Sequence, residues 1–525
     1  MGYIYNVNAI NAFNKVCALT DYNFHDNITK RHEFRIQTIN TNKYLTKNER
    51  LEVEQLLNED YDYNKILYGE GEKRTCENCE QECLATLYCE HCVRNYLEIN
   101  SLDWTSGNDD IDDLIKKCQS ETFHPSMIVE WIPYNNLQKI EYLTKGGFSE
   151  IYLAEWIDGQ YNEWDIKENQ LKRIGTHKVI LKKLENIISA NRTWFDEAKS
   201  HLTMSNKWIE IVRCHGLTQD PRTQNYFLVM HQMDLDLRTY LIKNHDNLTW
   251  KERIKITVDI INALDSIHRE NKIHRDLHSG NILYSKYLDL WFICDFGFCG
   301  PVNEPLRSIY GNLPYIAPEV IIKKEYNYTS DIYSIAMLMW EIAFGQSPYS
   351  NYKHDYYLAM SIINGMRPKI ISHIPIEYKN LMEQCWNVDP KKRPNINDLW
   401  IKIRKISASY YLDEALKRNQ ESYSSQLQLN IPTSRGNTSN IYQFPNSSEG
   451  QKEFHSNYFF SIPNDFDDNT KKLPSVIENL KINSNNDFDD NTKKLSSVIG
   501  NLKVNSNNDF RDNDKTAQWN KNYTN

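Results

Sequence analysis

Two short stretches of this 525-residue chain order their ionisable side chains in a way that suits one kind of chemistry. Ile273-His274-Arg275-Asp276-Leu277-His278-Ser279-Gly280-Asn281-Ile282-Leu283 carries an H-R-D-L-x-x-x-N pattern, and Trp291-Phe292-Ile293-Cys294-Asp295-Phe296-Gly297 ends in D-F-G. Ala317-Pro318-Glu319 follows. A lone Asp-Phe-Gly means little, but the ordered set at short spacing is specific. Upstream, Leu143-Thr144-Lys145-Gly146-Gly147-Phe148-Ser149-Glu150-Ile151-Tyr152 reads as a tight strand–turn–strand able to cover phosphates. Val179-Ile180-Leu181-Lys182 reads as a strand ending in a lysine, and Glu197 stands 15 residues further on, on an expected helix. A set of this kind would suit phosphoryl transfer, in which charge on the phosphate oxygens has to be positioned and neutralised.

A second group lies nearer the amino terminus. Cys76-Glu77-Asn78-Cys79 and Cys89-Glu90-His91-Cys92 bracket Cys83, so five of the eleven cysteines fall between Cys76 and Cys92. Two C-x-x-C turns can set four thiolates around a tetrahedral zinc ion. Their separation is shorter than usual for such pairs. One reading is zinc held by Cys76, Cys79, Cys89 and Cys92, with Cys83 a spare or core thiol. The other is a helical segment with incidental cysteines and no metal. With four thiolates and no open position for water, a zinc site here would be structural.

Elements must hold these residues. Ile254, Val258, Ile261, Leu264 and Ile267 step by three and four, which predicts a helix leading into the His274 segment. Phe227-Leu228-Val229-Met230 reads as an apolar strand. The run from Ile332 to Phe344 is short for a bilayer and carries Ser334 and Glu341, so a buried helix is expected rather than a membrane span. Thr46-Lys47-Asn48-Glu49 is a capping box before Leu51, Leu56 and Leu57. A polar insert between Gly159 and His177, containing Trp164, reads as an extended hairpin loop.

Composition divides the chain into four regions. Residues 1–70 are polar and Asn-rich with one expected helix, 71–125 form a cysteine-rich module, and 132–405 alternate strand-like and helix-like patterns. Residues 410–525 are rich in Asn, Ser, Asp and Lys with little apolar content, and are expected to be mostly disordered. The net charge of −9 gives no positive excess that would argue for a nucleic-acid partner. The start, Met1-Gly2-Tyr3-Ile4-Tyr5-Asn6, lacks a signal-peptide pattern, and Asn6 stands where myristoylation wants Ser or Thr. A soluble, cytoplasmic protein with reduced cysteines is expected.

The motifs in 132–405 resemble the eukaryotic protein kinase family. Asp331-Ile332-Tyr333-Ser334 and Cys385-Trp386, which precedes Asp389-Pro390-Lys391-Lys392-Arg393-Pro394, look most like its tyrosine-kinase-like branch. The resemblance implies an α+β, two-lobed fold: a small β-rich lobe, a larger helical lobe, and ATP between them. It implies that Asp276 orients a substrate hydroxyl and accepts its proton, and that Asp295 and Asn281 hold Mg²⁺. Lys182 would contact the α- and β-phosphates, with Glu197 fixing it. Leu143, Gly146, Gly147 and Ile151 would cover the nucleotide, Met230 would close the back of the pocket, and backbone at Gln232 and Met233 would meet adenine. Asp331 and Arg393 would be buried polar anchors, Arg393 pairing with Glu319. Plainer readings exist: Lys182 and Lys183 as a solvated pair, Glu197 as a surface helix residue.

The departures from the family pattern matter. Thr144 and Ser149 stand where the phosphate-covering loop has its first and third glycines, and only Gly146 keeps the middle one, with Gly147 beside it. Glycine lets backbone approach phosphate closely, so nucleotide affinity or loop flexibility is open to change. His278 replaces a lysine common in Ser/Thr kinases, and Asn312 replaces a threonine before Tyr315. The tyrosine-specific signature is missing, which favours Ser/Thr substrates by analogy at the level of the fold. The rival is a pseudokinase acting as scaffold or allosteric binder. Against it stand Lys182, Glu197, Asp276, Asn281 and Asp295, all present. In the tail, Asp465 to Leu473 recurs as Asp487 to Leu495, and Phe466, Phe488 and Phe510 recur every 22 residues. Leu473, Val476, Ile477 and Leu480 would lie on one helix face. These copies are either segments that fold onto a docking partner or inert linker.

Overall fold

The computed structural model describes residues 6–22, 24–145, 149–185, 193–302, 309, 311–370 and 374–429. Gly146 and Gly147, Ser308 and Tyr310 of the segment before Glu319, and all the tail repeats lie outside the described residues. The chain divides near Glu414 into two compact units, and the elements that build the site lie in the first.

Three helices precede the cysteines: α1 (Val7–Leu19), α2 (Ile28–Asn40) and α3 (Lys47–Tyr68). Only α3, with its Thr46/Glu49 capping box and left-handed Gly69 at its end, was expected from sequence. The other two begin at asparagine N-caps, Asn6 and Asn27; α2 is thin in apolar residues, whereas α1 is rich in them. They are held by packing, Ala9, Val16 and Ile39 meeting Val53 and Leu57 of α3 in one small core.

The cysteine segment opens with a short hairpin, β1 (Arg74–Thr75) and β2 (Glu82–Cys83), followed by α4 (Glu90–Asn100) and α5 (Asp109–Ser120). Buried Asp62 on α3 accepts from the backbone N–H groups of Thr86 and Leu87 at 2.7 and 2.8 Å and pairs with Lys65, joining the two regions.

Next comes a six-stranded sheet in the order β3–β9–β10–β8–β5–β4. Its strands are β3 (Glu130–Trp131), β4 (Leu137–Lys145), β5 (Glu150–Trp156), β8 (His177–Lys183), β9 (Cys214–Gln219) and β10 (Tyr226–His231). The insert forms a separate antiparallel hairpin, β6 (Tyr161–Asp165) and β7 (Gln170–Arg173). Leu171 packs with Tyr88, Val93 and Leu97 of the cysteine segment, and Trp164 borders them, so this hairpin seats that segment on the sheet. Helix α6 (Trp194–Ser205) starts at a Thr193/Asp196 capping box and covers the sheet.

The larger lobe holds the main core. It contains β11 (Leu235–Asp236), α7 (Leu237–Asn244), α8 (Trp250–Arg269), β12 (Lys272–Ile273), β13 (Ile282–Ser285), β14 (Leu290–Ile293) and β15 (Gly300–Pro301). Helices α9 (Pro318–Lys323), α10 (Tyr328–Phe344), α11 (Tyr356–Ile363), α12 (Ile376–Cys385) and α13 (Ile396–Leu429) complete it. The apolar run read as a buried helix is α10, nearly all of it inside the core, ended by left-handed Gly345. Among the described residues no helix is long and apolar enough to cross a membrane. Helix α13 runs beyond the boundary that composition suggested near 405–410, because a helix can continue on a polar sequence once its first turns are anchored, here through buried Leu399 and Ile403. The fold is α+β and two-lobed, as the motifs implied.

Candidate active site

Lys182 lies near the end of β8, opposite Ile151 of β5 and Leu228 of β10. Lys182 is buried between those strands, on the face it shares with half-buried Ile180, so it is no solvated surface residue; Lys183 instead pairs with Glu150 at 3.1 Å. The Lys182 ammonium is 2.7 Å from Glu197 Oε1 and 2.8 Å from Asp295 Oδ1. Glu197 is buried on α6. Burial works against the charge on Lys182, but Asp295 and Glu197 outweigh it and hold the ammonium protonated. Burial likewise opposes ionisation of Asp295, and the Lys182 charge overcomes it, keeping that carboxyl well below the usual carboxylate range.

Across the cleft, Asp276 sits on a loop that Asp331 anchors from below. The Asp331 carboxylate accepts from the N–H groups of His274 and Arg275 at 2.9 and 3.1 Å and from His268 Nε2 at 3.0 Å. Asn281 donates through Nδ2 to the Asp276 carbonyl oxygen at 2.8 Å, and its own carbonyl accepts from the Cys294 N–H at 3.0 Å. Asp276, Asn281 and Asp295 are thus tied into one short framework. Burial, and then the negative charge of Asp295, push the Asp276 carboxyl up to about 7. Arg275 and Asp295 both take positive φ, 70° and 62°, strain that a surrounding structure has to impose. Gly311 also has positive φ and lies where an added Cβ would come within 3.2 Å of Asp276 Oδ1.

Leu143 on β4 and Ile151 on β5 are half-buried, and Met230 is buried at the end of β10, just before Gln232 and Met233 leave the sheet. His278 caps the Gly280 N–H through Nδ1 at 3.0 Å and brings Nε2 to 3.8 Å from Asp276 Oδ1. His201 was not singled out from sequence. Four residues after Glu197, it shares that helix face; its Nε2 accepts from the Phe296 N–H at 3.2 Å and its ring packs edge-on against Phe296, which also meets His274. The i, i+4 spacing from Glu197 was the available signal. Glu197, His201 and Asp295 converge, but the Lys182 ammonium occupies the space between the carboxylates.

The cysteine cluster is a separate site. The sulfurs of Cys76, Cys79, Cys89 and Cys92 all lie within 4.8 Å of one another, with Cys76–Cys92 and Cys79–Cys89 each at 3.7 Å. Tetrahedral ligands at about 2.3 Å from a zinc ion stand about 3.8 Å apart. Disulfide sulfurs would be about 2 Å apart, so these are free thiols at metal-ligand separation. Cys89 precedes α4 and Cys92 lies in its first turn, while Cys76 and Cys79 lie in the connection between β1 and β2; Cys83 is buried beside them. Asn78 Nδ2 donates to Cys92 Sγ at 3.4 Å.

Residues 137–403 match the family described as protein tyrosine and serine/threonine kinase. Among curated proteins, a probable LIM domain-containing serine/threonine-protein kinase of Dictyostelium discoideum is 31% identical over 204 residues, which is 38% of this chain and 30% of that protein. A serine/threonine-protein kinase of Arabidopsis thaliana is 30% identical over 177 residues, covering 33% of this chain and 31% of its own length. The chain therefore spans less than a third of the length of these relatives.

Proposed function

The chain belongs to the protein tyrosine and serine/threonine kinase family, and from that membership we propose that it transfers the γ-phosphate of ATP to Ser or Thr hydroxyls of protein substrates in intracellular signalling. The observation that carries this reading is the Lys182 ammonium held between Glu197 and Asp295 at 2.7 and 2.8 Å, with Asn281 tied to Asp276 beside it.

Each residue has a chemical task in this reading. Asp276, at the edge of the cleft, orients the attacking hydroxyl and accepts its proton. Its pKa near 7 suits a base working at neutral pH. Lys182 offers its charge to the α- and β-phosphates, while Glu197 keeps it extended into the cleft. The ionised Asp295 and the Asn281 amide oxygen are hard oxygen donors of the kind magnesium prefers, and these two would hold it. Bound there, the ion neutralises phosphate charge. Leu143, Ile151 and Met230 wall the nucleotide, with backbone at Gln232 and Met233 toward adenine.

The regions divide in the same reading: α1–α3 as an amino-terminal bundle, a module of 71–125 holding structural zinc through Cys76, Cys79, Cys89 and Cys92, the kinase domain over 132–405, and a tail whose repeats dock a partner or link. Free cysteines throughout suit a reducing, cytoplasmic setting. The test is purified full-length protein with Mg²⁺-ATP and mixed protein substrates, followed by phosphosite mapping. Phosphate on Ser and Thr is the expected result; none at all, with ATP bound, would make the chain a binding pseudokinase.

A further inference from the structure

Helix α5 is amphipathic by simple spacing. Ile111, Leu114, Ile115 and Cys118, at i, i+3, i+4 and i+7, are all buried, whereas Asp109, Asp110, Asp113, Lys116 and Lys117 are exposed. The buried face enters one core with Ala198 and Leu202 of α6. On α6 those two residues sit next to Glu197 and His201 in sequence, but the first pair meets α5 and the second meets Lys182 and Phe296. The helix that carries Glu197 therefore stands between the active site and the module that precedes the kinase domain.

Directed bonds reinforce the packing. At the end of α6, Asn206 donates through Nδ2 to the Cys118 carbonyl oxygen at 2.8 Å, in the last turn of α5, where that carbonyl also accepts from the capping Glu121 N–H at 3.3 Å. Arg213 donates to the Ser205 carbonyl at 2.7 Å and to the Ile128 carbonyl at 2.5 Å, binding the end of α6 to the segment after α5. Gln119 fastens α5 to β3's approach through the Val129 carbonyl at 2.8 Å. Arg94 and Tyr88 of the cysteine segment in turn hold the carbonyls of Thr122 and Phe123.

We propose that α5 is a clamp within the chain that positions Glu197 against Lys182, so that the cysteine-rich segment acts as an activating module for the kinase domain it precedes. A helix of twelve residues has little stability of its own, and its placement follows from what packs on it. Ile111, Leu114, Ile115, Cys118 and Asn206 are positioning residues: the core that the first four share with Ala198 and Leu202 also takes in Leu228 and Met230, and the proposed route to Glu197 runs through α6. The inference rests on the kinase reading for its consequence, not for its geometry.

A double-mutant cycle on the full-length protein tests it. Leu114→Ala with Ile115→Ala should lower kcat/KM about tenfold in the native background but less than about twofold when Glu197 is already Gln, since a clamp that acts through Glu197 has nothing left to position. Leu114→Met with Ile115→Leu should restore most of the loss. Equal fold-losses in both backgrounds would overturn the proposal and leave α5 as general support. Amide hydrogen exchange gives a second readout that needs no phosphotransfer: exchange should quicken in α6 and stay unchanged in α8. If the double variant loosens α8 as well, Asn206→Ala is measured in its place, with the same pattern required. Unchanged exchange in α6 would overturn the clamp even where kinase activity is intact. Absence of phosphotransfer in the native protein would instead count against the kinase reading, and exchange would still decide the clamp.

Discussion

Arg393 and Glu319 meet in a two-pronged ion pair, Nη1 to Oε1 at 2.6 Å and Nη2 to Oε2 at 2.8 Å, with the arginine side chain wholly buried. The same guanidinium also donates to the carbonyls of Asn387 and Thr329. One residue thus ties the start of α9 to the start of α10 and to the loop before α13. Removing one partner of a buried pair leaves the other charge unsatisfied, at a cost of about 3–5 kcal/mol. Glu319→Ala should therefore lower unfolding free energy by about that amount in urea titration. A loss under about 1 kcal/mol would show that the backbone carbonyls alone satisfy Arg393.

Asp276→Asn should keep the fold and ATP binding but lose turnover. Removing a general base costs about 10²–10⁴ in rate, which is roughly 3–5.5 kcal/mol of barrier. Nucleotide binding by fluorescence alongside a phosphotransfer assay separates the two properties. A variant with native turnover would remove Asp276 from the role of base.

The pH profile should carry the same residue. Asp276 must be ionised to accept a proton, and burial with Asp295 nearby sets its carboxyl at about 7. In kcat/KM for ATP, which reports the free enzyme, activity should fall as pH drops below about 7. A divalent cation on Asp295 replaces a repelling charge with an attracting one, so the acid limb of kcat should lie at lower pH. Coincident limbs in the two profiles would mean that Asp295 does not set the Asp276 pKa.

Metal content is the simplest prediction. Protein purified without added zinc should carry one zinc per chain, and Cys76→Ser with Cys92→Ser should lose it. Near-zero zinc in the native protein, with the cysteine segment still folded by circular dichroism and exchange, would favour incidental cysteines.

The candidate site was readable in the order of residues because its parts are local. His274 to Asn281 and Asp295 to Gly297 are short loops whose side chains are placed by the strands and turns they adjoin, so spacing along the chain carries their geometry. Lys182 and Glu197 are also near in sequence. The two-lobed fold followed from the same motifs, since alternating strand and helix patterns around them admit few arrangements.

Other features depend on contacts between distant segments. Helix α2 holds too few apolar residues to declare itself, whereas α1 carries a stripe of Ala9, Phe13 and Val16 that was not singled out from sequence; both pack against α3, which supplies the other half of their core. The α5 stripe of Ile111, Leu114, Ile115 and Cys118 was visible in the letters, yet a stripe says only that a helix is covered, not by what. That its cover is α6 follows from Ala198 and Leu202 at the interface and from Asn206 reaching Cys118, 88 residues earlier in the chain. Periodicity records which face of a helix avoids water; the identity of the partner is set by shape and by directed bonds that form once both surfaces exist.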